Sequence, residues 1–182
     1  MSSLTELVPV PPPSAINGKA SPCPTSFLIR KYGEPRLNLG DDCKPATSAF
    51  WKSRFVTEDV GPFKVTGHRL AVALLRRSLA KVKTKNLELY QALSSAGMLC
   101  VRRVRGSKSL LSNHGLGLAI DFKLNGVLDP RGDDKVQRGL LELYAILKGD
   151  GWYWGAEFGI EDAMHFEVSA EVVMSWVRSG EF

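Results

Sequence analysis

SNHGLGLAIDFKLNG, residues 112–126, is the stretch on which the fold turns. From Gly117 the residues alternate: Leu118, Ile120, Phe122 and Leu124 on one side, Ala119, Asp121 and Lys123 on the other. A period of two with one apolar side marks a strand that buries one face. Asn125-Gly126 then supplies a hairpin-type turn. Asp121 leaves on the side away from the core. One of only three histidines in the chain, His114, lies just upstream. Gly115 and Gly117 permit the tight path that would fold His114 back over the Asp121 face.

Working outward, Ala163 to Val168 alternates in the same way. Met164, Phe166 and Val168 take one face; His165 and Glu167 take the other. If both strands bury their apolar sides, Asp121 and His165 emerge together on the opposite face. Helices account for much of the remainder. Ala71, Leu74, Leu75, Ser78, Leu79 and Val82 have amphipathic spacing, with Arg76, Arg77, Lys81 and Lys83 on the solvated side. His68 stands at the start of that helix. A short helix is expected over about Leu87 to Ser94, with Gly97 as a stop. Residues 98–104 read as a strand. Val136, Leu140, Leu143, Tyr144 and Leu147 give a further helix stopped near Gly149, and Ser169 can cap a last one running to about Val177. The pattern predicts an α+β fold. It has a small, mainly antiparallel sheet with helices packed on one side and Asp121 and His165 on the opposite face.

The N-terminal third has a different texture. Residues 1–24 are rich in Pro and Ser, including Pro11–Pro13, and read as an extended, partly polyproline arm. Residues 25–59 mix turn signals with single aromatics and read as an irregular wrap over the core. The expected division is therefore 1–59, Pro-rich arm and wrap, and 60–182, the compact domain.

The 182 residues are 44% hydrophobic and 24% charged, the balance of a globular chain with a core of its own. The net charge of +5 favours anionic partners such as a bacterial cell wall. No apolar run approaches the ~20 residues of a membrane span, so no membrane insertion is expected. The N-terminus lacks the basic and apolar regions of a secretory signal. Arg102, Arg103, Arg105 and Lys108 could hold phosphate, but no aromatics interleave them, so nucleic acid is not an expected partner. Cys23, Cys43 and Cys100 include no CxxC pair, and their odd number argues against a full disulfide framework. A Cys23–Cys43 bridge is open to the chain, while Cys100 reads as a core residue.

Two imidazoles and one carboxylate on one surface suit Zn²⁺, which in catalytic sites takes three protein ligands and keeps a fourth position open. Bound there, the metal would acidify a water and polarise a carbonyl. Asp162, three residues before His165, is placed to act as the base. His114 or Asp162 alone would read as an ordinary loop residue; the joint pattern points to a metal site.

These residues carry a family resemblance. Ser112-x-His114-x-x-Gly117-x-Ala119-x-Asp121 resembles the SxHxxGxAxD signature of M15-type zinc peptidases, the group of D-Ala-D-Ala carboxypeptidases and phage L-alanyl-D-glutamate endopeptidases. Asp162-Ala163-Met164-His165-Phe166-Glu167 is similar to its second signature, an acid three residues before a ligand His. Residues 102–106 are similar to the arginine-bearing strand before the first motif. The likeness covers roughly residues 60–170. It implies His114, Asp121 and His165 as zinc ligands and Asp162 as general base and later proton donor. An arginine, Arg105 or Arg102, would stabilise the oxyanion or hold a substrate carboxylate. Ser112 would bind near the metal or substrate, and Trp154 would line the cleft. Glu157 and Glu161 are expected to be structural or solvent-facing rather than catalytic.

Met164, where carboxypeptidases have an aromatic, and the short segment from Arg105 to Ser112 favour the endopeptidase branch. The expected function is hydrolysis of peptidoglycan stem peptides, at the L-alanyl-D-glutamate bond, by a monomer of the endolysin or antibacterial-effector type. D-Ala-D-Ala carboxypeptidase activity and a non-catalytic, zinc-containing wall-binding module are the alternatives. Such a protein would be made in the cytoplasm and reach the wall by release or by another secretion system.

Overall fold

The computed structural model describes residues 3–104, 107 and 109–182. Strand β1 (Leu7–Pro9) is followed by α1 (Thr25–Tyr32), α2 (Ala49–Lys52) and the hairpin β2 (Phe55–Asp59) and β3 (Lys64–His68). Next come α3 (Arg69–Lys85), α4 (Leu87–Ala92), β4 (Leu93–Gly97) and β5 (Ala119–Leu124). β6 (Lys135–Gln137), α5 (Arg138–Leu147), β7 (Trp152–Trp154), β8 (His165–Val168) and α6 (Ala170–Ser179) complete the chain. The central sheet has the order β4-β5-β8-β7 and is antiparallel at every pairing. This is an α+β architecture with small antiparallel sheets, as expected.

The register explains how the strands sort their side chains. Ile120 pairs with Phe166, and Trp154 also pairs with Phe166, so all three share the buried face. α3 lies over the core with Ala71, Leu75, Leu79 and Val82 fully buried, and it contacts α5. Full burial of Leu75, Leu79 and Val82 is worth about 1.5–3 kcal/mol each. On the other face Asp121 pairs with His165, and Ala119 with Glu167. His68 does begin α3: its Nδ1 accepts the Leu70 N–H at 3.4 Å. The β5 hairpin turn uses left-handed Asn125 and Gly126, as Asn-Gly turns do.

Two expectations about local structure are corrected. Residues 98–104 form no strand; they make only single bridges, Lys44 to Val101 and Arg103 to Leu111. The strand comes earlier, because the helix capped by Asn86 ends at Ala92 and Leu93 pairs at once with Leu124. The disulfide joins Cys43 to Cys100, and Cys23 is a buried free thiol. Val101 and Met98 pack inward and hold Cys100 beside the N-terminal wrap, where Lys44 bridges Val101, whereas Cys23 donates its backbone N–H to Glu167.

The N-terminal residues are also more regular than a plain wrap. Besides α1, α2 and β2 they supply fully buried Leu28 and Trp51. Asn17, left-handed at φ 57°, mimics a strand partner: it accepts the Trp154 N–H at 2.8 Å and donates to the Trp154 carbonyl at 2.9 Å.

Candidate metal centre

The site grows from the two alternating strands and the turn before β5. Asp121 and His165 face each other across the β5–β8 ladder. His114 sits in a short helical turn, residues 113–116, whose exit is Gly117 at φ +64°. A Cβ on Gly117 would stand 2.5 Å from the His68 backbone nitrogen, so this position needs glycine for both conformation and space. The turn swings His114 over the sheet as the glycines suggested.

Three ligand atoms converge. His114 Nε2 lies 3.1 Å from Asp121 Oδ1 and 3.1 Å from His165 Nδ1, and Asp121 Oδ1 is 3.0 Å from His165 Nδ1. Tetrahedral zinc with ordinary bond lengths separates its ligand atoms by about 3.3 Å. The trio therefore has the size and donor chemistry of a three-ligand zinc site, and it is a group fit to hold a metal ion.

The outer partners complete the fit. His114 Nδ1 donates to the Met98 carbonyl at 3.1 Å, which leaves Nε2 with its lone pair toward the centre. His165 Nε2 donates to Glu167 Oε2 at 2.9 Å, which does the same for Nδ1. Glu167 is fully buried; it also accepts from Cys23 N at 2.8 Å and from Asn113 Nδ2. Thr25, in turn, donates to Asn113. The N-terminal segment thus supports the outer shell of the centre. Two carboxylates and two neutral imidazoles leave a buried charge that one divalent cation would balance.

The electrostatics agree. Burial disfavours a charged His165, but the carboxylates on both its ring nitrogens outweigh this and raise its pKa to about 10. Burial likewise works against an ionised Asp121, yet hydrogen bonds from His114 and His165 hold its carboxyl below the usual range. The same positive demand that binds protons here would be met by a metal ion.

The centre opens into a cleft of about 480 Å³. Its wall includes Arg102, Ser112, Asp162, Met164, Phe158 and Arg131. Burial raises the Asp162 carboxyl above its ordinary value. Asp162 is held by its backbone: its N–H donates to Gly155 O at 3.1 Å and its carbonyl accepts the His165 N–H at 3.1 Å. A Cβ on Gly155 would meet the Asp162 carbonyl at 2.7 Å, so the close approach depends on glycine.

The structure brings His114, Asp121, His165, Asp162, Ser112 and Arg102 to this one cleft. Arg102 Nη1 also donates to the Arg103 carbonyl at 2.8 Å. Arg105 lies outside the described residues. Trp154 does not line the cleft. Its register opposite Phe166 turns it into the core, where it stacks on Tyr144 and donates to Ala163 O at 2.7 Å. Phe158 provides the aromatic wall instead, 5.5 Å from the His165 ring.

Sequence reasoning gave no role to Glu167, Asn113 or Arg131. The first had a signal, since an acid two residues after His165 shares its face. Arg131 had none, because a turn-rich stretch does not reveal where it folds. Glu161 is structural as expected: its buried carboxylate accepts three backbone N–H groups.

Residues 105–168 match a family model described as D-alanyl-D-alanine carboxypeptidase. The matched stretch contains both motifs and all three candidate ligand residues. No curated protein matches the chain.

Proposed function

Starting from the M15-type peptidase character of residues 105–168, we propose that this chain is a zinc-dependent peptidase acting on peptidoglycan stem peptides, with the L-alanyl-D-glutamate bond as its target. The observation that carries the proposal is the 3.0–3.1 Å triangle of His114, Asp121 and His165 on the same cleft as Asp162. When bound, zinc supplies Lewis-acid polarisation of the scissile carbonyl and a water of lowered pKa. Asp162 accepts the proton of the attacking water and returns it to the leaving amine. Of Arg105 and Arg102, Arg102 is the one among the described residues; it lies on the cleft wall, where it would stabilise charge on the carbonyl oxygen. Ser112 contributes a polar contact for substrate. Trp154 plays no direct part.

The Cys43–Cys100 disulfide supports work outside the reducing cytosol, as an endolysin or a secreted antibacterial effector would do. No helix among the described residues is long and apolar enough to cross a membrane. The chain is taken to act as a monomer.

The test is a digest of purified peptidoglycan with and without chelator, with new termini identified by mass spectrometry. A zinc-dependent new amine on D-glutamate is expected; full activity after metal removal would refute the proposal. The description of the matched family favours a second activity, D-Ala-D-Ala carboxypeptidase, which the same digest would reveal as free D-alanine. A wall-binding module without activity would need no base, and Asp162 on the cleft counts against it.

A further inference from the structure

One covalent bond ties the backing of His114 to the N-terminal wrap. Cys100, joined to Cys43, donates its backbone N–H to the His114 carbonyl at 3.0 Å. Two residues earlier, the Met98 carbonyl takes His114 Nδ1 at 3.1 Å. Two residues later, Arg102 lines the cleft, and its carbonyl takes Ser112 N at 3.1 Å. Residues 98–102 therefore brace the imidazole from one side. Residues 39–44 brace this strip in turn. Lys44 N donates to Val101 O at 3.1 Å, and Arg103 donates to Gly40 O at 2.8 Å and, through Nε, to Leu39 O at 2.9 Å.

Neither stretch is held by a ladder. Residues 33–48 form neither helix nor strand, and residues 98–104 make only two isolated bridges. Met98 and Val101 are buried, but Cys100 is half-buried and Cys43 is exposed, so a thiolate from solvent can reach the bond. Stretches of this kind open locally before a core does. We propose that Cys43–Cys100 is a redox gate on the metal centre. Joined, the pair fixes the strip that orients His114; reduced, it lets the strip loosen and the centre lose its hold on metal. This rests on the metal centre of the proposed function and not on which bond is cut. The exchange balances with an external dithiol as reductant. Its thiolate attacks Cys43 Sγ, the S–S bond breaks, and Cys100 leaves as a thiolate that takes up a proton. The second thiol of the reductant then displaces Cys43 from the mixed disulfide, and the reductant ends as its own disulfide. Two electrons pass to the protein; a disulfide oxidant takes them back. In a reducing cytosol the site stays loose, and in an oxidising compartment it closes.

The experiment measures zinc affinity by competition against a chromophoric chelator. Three proteins are compared: oxidised wild type, wild type reduced by a dithiol and desalted under argon, and Cys43→Ser/Cys100→Ser, which has neither the bond nor its thiols. The last two should bind zinc roughly 10–100-fold more weakly, the range for a disturbed outer partner of a ligand histidine. Oxidised glutathione should restore the affinity of the reduced wild type and leave the double variant unchanged. Circular dichroism should stay native, and hydrogen exchange should quicken at the Cys100 and Ser112 amides by more than in the core of α3. Affinity within twofold of oxidised wild type in either altered form overturns the gate. So does exchange that quickens equally everywhere, or loss of native circular dichroism, because the bond would then merely stabilise the whole fold. No zinc binding by the oxidised protein would overturn the metal-centre reading itself, and the gate with it.

Discussion

Glu167→Gln is the sharpest probe of the candidate metal centre, because it changes one atom at the His165 ring nitrogen opposite the one that faces Asp121. Glu167 Oε2 takes His165 Nε2 at 2.9 Å and Asn113 Nδ2, while Oε1 takes Cys23 N at 2.8 Å. Both oxygens accept, and all three partners donate. Glutamine has one oxygen and one NH₂, so either orientation sets a donor against a donor. With the NH₂ toward His165, the imidazole loses its partner; with the NH₂ toward Cys23, a buried backbone N–H does. A stranded buried donor costs about 1–3 kcal/mol. Both orientations also remove the negative charge that makes His165 a better ligand. Loss of such an outer partner weakens metal binding by ~10–100-fold, or about 1.4–2.7 kcal/mol. The assay is zinc competition against a chromophoric chelator, with circular dichroism to verify folding. A folded variant that binds zinc within about twofold of wild type, where the general rule demands at least tenfold, would refute the assignment of Glu167 as the carboxylate that orients His165.

Three further outcomes are expected. His165→Ala should lose metal and activity together, whereas Asp162→Ala should retain metal by elemental analysis yet lose ~10²–10⁴ in kcat, the usual contribution of a positioned base. Replacing Cys43 by Ala opens a loop with a sequence separation of 57 residues and should cost up to about 4 kcal/mol in chemical denaturation. It should weaken zinc binding as well, because Cys100 N donates to the His114 carbonyl and the nearby Met98 carbonyl holds its ring; unchanged affinity in the variant would separate the two. Burial pushes the Asp129 carboxyl up to about 7, with one oxygen bonded to Gln137 N at 2.6 Å and the other without a partner among the described residues. Its native pKa exceeds the unfolded value of about 3.9, so the native state holds the extra proton between those values and stability falls as pH rises from ~4 to ~7. Asp129→Asn should flatten that slope in melting temperature against pH; an identical slope would show that Asp129 does not titrate there.

The sequence by itself determined which residues of the candidate centre share one face of the sheet, and the strands that carry them. Period-two alternation in two segments is enough to send Asp121 and His165 to one face, since successive side chains of a strand must point opposite ways. The helical spacing in α3 likewise marks its buried stripe, because a helix can bury only one side against a sheet. What alternation cannot supply is register between segments distant in the chain. Trp154 shows this: pairing with Phe166 rather than with Glu167 decides that it faces the core, and only the assembled sheet sets that pairing. Cys100 found Cys43 for the same reason, since a disulfide depends on which backbones meet and not on how the cysteines are spaced. Arg131 reaches Asp162 through an ion pair, Asn17 reaches Trp154 through two hydrogen bonds, and Cys23 and Thr25 reach Glu167 and Asn113 through one each, all across long stretches of sequence. Such contacts have no period to betray them; they exist because buried donors and acceptors must find partners once the core has closed.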